Sequence, residues 1–358
     1  MKSTVFFRNV RILTALLTAA VLCMAAGCTG GVAVLEPGES RAPTSVPTPE
    51  PKGVEAVFGK EITITLVSGA DGDAELFAEG AQAEAESMGI MLKTGASETI
   101  GDAVSGSESD GVIAYMPRQE DYAAIESAAD KHIVVYGIEK AALGSVSQVY
   151  YSPGNETDMA MEAALNYPPH DTPVRLILMF ESDDTAGYAA YQKLADEGKI
   201  FPKEVYIASS TEGPGPDSWL TDKLQGYAEG MIDGVYAENA GLALGALDAL
   251  EALGRTDMEV FCPGVTPEAV KRMAKNPIVF AQAVGANEYL AGALCVRAAL
   301  KGIKGEGAIV NELLPCVIDA SRLADGNAAL LEMGGEQAVL LSEPWMDTLR
   351  SYYETIPN

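Results

Sequence analysis

The sequence predicts an α/β fold of two doubly wound lobes, each a parallel sheet with helices on both faces, behind a disordered N-terminal tether. Two patterns and one length carry that prediction. From about residue 60, short β-branched or apolar runs alternate with helical stretches, which implies parallel pairing. Before that point, residues 30–53 are rich in Gly, Pro, Ser, Thr and Glu and have almost nothing to bury, the composition of a chain without a core. Setting aside that segment and the residues before it leaves roughly 300 of the 358 residues, room for two lobes of about 150 each, with 48% hydrophobic residues to fill them.

The N-terminus opens with Lys2, Arg8 and Arg11, continues through an apolar run over 12–24 and reaches Ala25, Ala26 and Gly27. That run is too short to span a bilayer, so residues 1–27 read as a signal peptide. Ala25-Ala26-Gly27-Cys28 resembles the bacterial lipobox, which implies cleavage before Cys28, acylation of its thiol and anchoring on the extracytoplasmic face of the cell membrane. The alternative is an ordinary secretory signal with a chance cysteine. Cys23, behind bulky Leu22, is the poorer acceptor. Residues 28–58 form the linker, with Pro37, Pro43, Pro47, Pro49 and Pro51; two dozen residues in a polyproline-like conformation reach roughly 70 Å at about 3.1 Å each.

The folded part opens with a strand over 61–67 and a helix over 74–88, where Leu76, Phe77, Gly80, Ala81, Ala83, Glu84 and Met88 sample a 3.6-residue spacing and Gly89 supplies the stop. Strands at 111–115, 132–136 and 148–151 follow, with a helix over 120–131. A second unit begins with a helix over 155–166 and repeats the alternation: strand 174–179, helix 186–197, strand 205–208, helix 218–232, strand 234–237, helix 242–253. Strands at 258–261 and 279–283, a long helix over 288–301 and a late strand at 314–319 complete the body. Trp345 marks a C-terminal helix that packs on it.

Cleavage before Cys28 leaves 331 residues with 21 basic against 51 acidic side chains, a net charge of −30. Such a surface binds neither nucleic acid nor anionic lipid. Cys262, Cys295 and Cys316 sit in apolar strands or helices, the setting of buried structural thiols, and their odd number outside the cell implies at least one unpaired. His132 and His170 are the two histidines, and neither neighbours a cysteine or carboxylate at ligand spacing, so no metal site is expected. The chain carries no phosphate-loop, dinucleotide, serine-hydrolase or zinc-protease motif. No catalytic residue and no cofactor is expected, and a binding protein is favoured over an enzyme.

Three stretches then carry a family resemblance. The first is strand 61–67 with Glu79-Gly80-Ala81-Gln82-Ala83-Glu84-Ala85 on the helix behind it. The second, Asp110-Gly111-Val112-Ile113-Ala114-Tyr115-Met116-Pro117, is a strand ending on a proline. The third runs Val235-Tyr236-Ala237-Glu238-Asn239-Ala240-Gly241-Leu242-Ala243-Leu244-Gly245-Ala246 and leads through Leu253-Gly254 to Val260 and Thr266-Pro267-Glu268-Ala269. Over about residues 60–340 they resemble the sugar-binding branch of the type I periplasmic binding proteins, the ribose-binding-protein-like solute receptors of ABC importers. The resemblance implies a three-strand hinge, with crossings near Val149, Gly285 and Leu314. It places 59–149 plus 286–314 in an N-terminal lobe, 150–285 plus 315–341 in a C-terminal lobe and 342–358 in a tail helix. Ligand would lie in the cleft and be trapped by hinge closure.

Loops at the carboxyl ends of strands are where open α/β sheets hold ligands, and this selects the site residues. Asp71 matches the family's asparagine after the first strand, whereas Asp73 and Ala74 replace its stacking aromatics; Asp73 is equally suited to capping the helix. Glu181 and Asp183 occupy the corresponding loop of the other lobe, where no arginine follows. Asn239 matches a family position that bonds ligand, and its other reading is the cap of the helix behind it. Cys262-Pro263-Gly264 and Gly285-Ala286 replace a Gly-Phe-Asp turn and a glutamine. Asp71, Asp73, Glu181, Asp183 and Glu238 make the remaining set acceptor-rich, which suits a donor-rich ligand such as a polyol, an amino sugar or another cationic solute; a solvated acidic rim explains the same residues. Trp219 follows Gly213-Pro214-Gly215-Pro216, a loop long enough to fold over the cleft. The reading is a monomeric, lipid-anchored receptor that delivers a small-molecule solute to an ABC transporter permease. A receptor signalling to a membrane sensor and a surface hydrolase are the alternatives.

Overall fold

The computed structural model describes residues 50–69, 74–166, 173–210 and 213–356. Cys28, the signal peptide and all but the last residues of the linker lie outside them, as do Asp71 and Asp73. No helix among the described residues is long and apolar enough to cross a membrane.

In chain order, α1 (Val54–Phe58) precedes β1 (Thr63–Gly69), α2 (Glu75–Ser87), β2 (Met91–Ser97), α3 (Ile100–Gly106), β3 (Gly111–Tyr115), α4 (Tyr122–Ser127), β4 (Ile133–Ile138) and β5 (Ser147–Tyr151). The second half adds α5 (Glu156–Asn166), β6 (Val174–Phe180), α6 (Ala186–Asp196), β7 (Ile200–Ile207), α7 (Pro216–Leu224), β8 (Gly234–Ala237), α8 (Ala240–Leu253), β9 (Glu259–Pro263), α9 (Pro267–Lys275) and β10 (Phe280–Gly285). Then α10 (Glu288–Ile303), β11 (Val310–Leu313), β12 (Cys316–Asp319), α11 (Ala329–Met333) and α12 (Pro344–Glu354) close the chain.

Two six-stranded sheets result, ordered β11-β5-β4-β3-β1-β2 and β12-β10-β9-β8-β6-β7. Every pair is parallel except β10 with β12. The period-2 alternation of strands sorts the apolar side chains onto two faces. In the second sheet Leu176, Leu178, Phe180 and Tyr236 join a core with α5, while Ile177, Met179, Val235 and Ala237 join a core with α8. In the first sheet Ile113, Val134 and Val149 pack with α2 and α10, and Val112, Ala114 and Val135 with α3 and α4. Both sheets are therefore doubly wound, as the alternation of strands and helices predicts. Full burial of Phe77, at 0% exposure, contributes about 2–3 kcal/mol by apolar area alone.

α2 and α10 approach at backbone distance. A Cβ on Gly80 would sit 1.9 Å from Tyr289 O, and one on Gly292 would sit 2.0 Å from Phe77 O, so only glycine fits at either crossing point. Glu84, on the same helix, is buried between Arg297 and Arg350, accepting from both at 2.5 Å. Arg297 also donates to Ala338 O at 2.7 Å and Ser342 Oγ at 3.0 Å, which ties the returning C-terminal segment to α10.

Several elements differ from the sequence expectation. β2 is exposed over most of its length and lies at a sheet edge, so its pairing with β1 supports it and no apolar alternation marks it. α3 has seven residues, too few for a periodicity. The helix expected over 218–232 starts at Pro216 and stops at Leu224, with Gly226 and a left-handed Gly230 beyond. The strand expected over 314–319 is β12, paired with β10 in the second sheet, and an unexpected strand, β11, precedes it and pairs with β5 in the first.

Candidate functional site

Topology alone decides where the two sheets face one another. The chain leaves the carboxyl end of β5 for α5, the carboxyl end of β10 for α10, and the carboxyl end of β11 for β12. All three passages join carboxyl ends, so the loops at those ends in both lobes border one gap. Each passage is held by a side chain. Glu156 accepts from the Tyr151 hydroxyl and, at 2.9 Å, from Gly154 N. Asn287 accepts from Leu290 N at 3.1 Å and donates to Leu330 O at 2.6 Å. Gln337 brackets Leu314, accepting from its N at 2.7 Å and donating to its O at 3.3 Å.

Within each sheet the strand order reverses direction once, between β1 and β3 and between β6 and β8, and the loops there diverge to leave a crevice. In the first sheet this crevice is a cavity of about 440 Å³ lined by Gly69, Ser97, Glu98, Thr99, Met116, Arg118 and Asp121. Asp121 is spent on structure, accepting from Gly101 N at 2.8 Å and Arg118 N at 3.0 Å. Arg118 is exposed, with Glu120 3.6 Å from its guanidinium, and gives this wall a cation. The loop with Asp71 and Asp73 lies outside the described residues.

In the second sheet the same position holds Glu181, Glu238 and Asn239. Glu238 accepts from Glu181 N at 3.0 Å. Asn239 does two jobs at once: its Oδ1 caps α8 by accepting from Leu242 N at 2.9 Å, and its Nδ2 donates to Glu181 Oε1 at 2.8 Å. A Cβ at position 187 would come within 2.7 Å of Glu238 Oε1, so Gly187 makes room for that carboxylate. Asp183 is exposed on the loop beside them. Trp219 packs on Tyr206 at 5.1 Å between ring centres, with Lys223 Nζ 5.7 Å from its own ring. Burial, then the carboxylates of Glu181 and Asp217, push the Tyr206 phenol above its ordinary value.

The structure thus brings Glu181, Glu238 and Asn239 into one hydrogen-bonded cluster, and Trp219 packs on Tyr206. Of the aromatic side chains in or beside the strand ends, Phe180, Tyr115, Tyr151, Tyr236 and Tyr289 are buried in the cores, and Tyr150 is half-buried. Sequence reading missed Ser97, Glu98, Thr99 and Arg118. Arg118 follows a strand already recognised, so its place beyond a carboxyl end was the available signal; the other three follow β2, which no pattern revealed. Met116 (φ 50) and Glu139 (φ 63) adopt left-handed backbone just past β3 and β4, a conformation uncommon for non-glycine residues, and His132 (φ 49) and Leu341 (φ 59) adopt it elsewhere. No group of three or more His, Cys, Asp or Glu side chains among the described residues could hold a metal ion.

A sugar ABC transporter protein from Yersinia enterocolitica superposes on this chain with a TM-score of 0.52, covering 84% of it and 97% of the other chain at 19% identity. The fold is that of a type I periplasmic binding protein. A 5-methylthioribose transporter solute binding protein from Thermotoga lettingae, in complex with 5-methylthioribose, gives 0.49 at 18% identity over 81% of this chain and 98% of its own. An ABC transporter periplasmic solute binding protein from Actinobacillus succinogenes with bound D-allose gives 0.49 at 18% identity over 74% and 100%. At these identities the likeness is one of fold. No family model and no curated protein matches the sequence.

Proposed function

We propose that this chain is an extracytoplasmic solute receptor, held to the membrane through a lipid on Cys28, that captures a small hydrogen-bonding solute between its lobes and hands it to an ABC importer. One observation carries the reading: the reversal points of both sheets, each lined by polar side chains, open onto the gap that three carboxyl-end passages create. That arrangement encloses a solute from two sides and releases it by hinge motion, with no reacting group required. Glu181, Asp183 and Glu238 offer acceptors and Asn239 a polar amide on one wall, with Asp71 and Asp73, which follow β1 in the sequence, and Trp219 as further candidates. Such a wall favours a ligand rich in hydroxyl or amino donors, and the fold shared with a sugar transporter protein agrees with a sugar-like one.

The test is a thermal-shift and calorimetric screen of sugars, polyols, nucleosides, polyamines and amino acids. One donor-rich class should bind reversibly at one per chain and return unchanged, and Glu181→Gln should weaken it at least tenfold. Binding confined to anionic solutes would remove the acceptor-lined cleft from consideration, and turnover of the solute would favour a hydrolase. Uptake of the bound solute, lost on deleting the gene, separates import from sensing.

A further inference from the structure

After β12 the chain crosses between the lobes once more. Leu323, Leu330 and Met333 lie in the core of the second sheet, with Ile318 of β12, whereas Met346 and Leu349 lie in the core of the first sheet, with Ile113. The residues between Met333 and Met346 are therefore a fourth covalent passage, beside the three that join carboxyl ends. Leu331 of α11, at its start, packs against both cores.

Both ends of this passage are held, and its middle is bonded to the hinge. Leu330 O accepts from Asn287 Nδ2 at 2.6 Å, in the passage from β10 to α10. On the other side Arg297 of α10 donates to Ala338 O at 2.7 Å and Leu340 O at 3.1 Å, and Lys301 pairs with Glu343. Between them Gln337 brackets Leu314, in the passage from β11 to β12. The fourth passage thus grips two of the other three.

Its slack is small. Met333 and Ala338 are five residues apart, and most of that stretch is a 3₁₀ turn over Gly335–Val339. Five residues rise roughly 10 Å in a 3₁₀ turn and reach roughly 17 Å fully extended. The lobes can part at this point by about 7 Å before Met333 leaves its core or Arg297 loses its carbonyls. Gly335 is exposed and left-handed (φ 55), with nothing within 4 Å of where a Cβ would stand, so it is the residue freest to turn as the segment extends.

We propose that residues 334–343 are a strap that limits how far the lobes separate, with Gly335 as its flexible point. The strap, together with the three hinge passages, then sets the opening of the ligand-free protein. The proposal takes from the receptor reading the use of that motion, and its test needs no ligand.

Pulsed electron paramagnetic resonance on the full mature chain measures the opening directly. Spin labels go on Lys93→Cys in β2 and Gln192→Cys in α6, both exposed, while Cys262, Cys295 and Cys316 are buried. β2 and β7, which α6 precedes, are the strands farthest from the hinge in their sheets, so opening moves the labels apart most there. Four Gly-Ser residues inserted after Gly335 should lengthen the mean distance by more than about 2 Å, the scale of a hinge rearrangement. Cleaving a protease site placed at Gly335 should lengthen it as much. The same four residues inserted after Gly305, an exposed glycine in open space between α10 and β11 of one lobe, should leave it unchanged. Unchanged distances in the lengthened and the cleaved protein would overturn the strap, and so would an equal lengthening from the Gly305 insertion, which would mark a general loosening. Cleavage acts on protein already folded and decides the matter should the insertion at Gly335 fail to fold. Solute binding enters neither measurement, so the receptor reading stands or falls by its own screen.

Discussion

At the residue scale, burial sets the chemistry of several side chains. Burial first, then the carboxylates of Asp233 and Asp257, raise Glu259 from its ordinary 4.5 to about 7. Between those values the folded state binds more protons than the unfolded one, so its contribution is complete below about pH 4.5 and is lost as pH rises through 7. Glu259→Gln should therefore stabilise the protein at pH 8 by about 1–2 kcal/mol, allowing for its partial exposure, and change nothing at pH 4; melting curves at the two pH values check this. Burial likewise pushes the thiols of Cys262 to about 12, Cys316 to about 11 and Cys295 well above its ordinary value, and all three are free. Ellman's reagent at pH 8 should label none of them in the native protein and all three in guanidinium, and native labelling within minutes would contradict their burial.

At the scale of elements, the contact between α2 and α10 depends on a polar centre as well as on glycine. Glu84 is 4% exposed and neutralises two guanidinium groups, one of which holds the C-terminal segment by its carbonyls. Removing its charge leaves Arg297 buried without a counter-ion, and uncompensated buried charge costs about 3–5 kcal/mol. Glu84→Gln should lower stability by about 3 kcal/mol and make α12 the first element to become protease-sensitive, because Arg350 on that helix loses the same partner. Urea unfolding combined with limited proteolysis measures both. A loss below 1 kcal/mol would mean the neutral amide bonds both arginines equally well.

At the scale of the whole molecule, contacts also span the lobes away from the three passages. Lys271 of α9 meets Glu75 of α2 at 2.8 Å, and Asn327 donates to Glu79 at 2.6 Å. Leu76, between those two glutamates, packs into the core of the C-terminal lobe. The chain also returns to the N-terminal lobe after α11, where Leu340, Trp345 and Met346 join the core built on α2. These contacts oppose opening. Charge reversal by Lys271→Glu should shift the ligand-free population towards open lobes, seen as a larger radius of gyration in X-ray scattering, and ligand should restore compaction. The ion pair is exposed, so the shift should shrink in high salt. An unchanged radius would show that Leu76 and the tail hold the lobes without it.

The sequence by itself determined the class of fold, because β-branched runs alternating with helices admit few arrangements beyond parallel sheets covered on both faces. It also marked Glu181, Glu238 and Asn239, since each follows a strong apolar strand whose carboxyl end is legible. It did not reveal β2 or β11, whose support comes from a neighbouring strand and whose own patterns are weak, and so it missed Ser97, Glu98 and Thr99 beyond β2. Whether a residue at a strand end faces ligand or caps a helix was beyond it too, and Asn239 turns out to cap α8 while bonding Glu181. The salt link between Lys271 and Glu75 exists only where distant segments meet. Periodicity is a local property that the chain carries in every conformation; hydrogen-bond satisfaction, cavity shape and charge pairing arise only when residues far apart in sequence are packed together, and tertiary structure alone decided them.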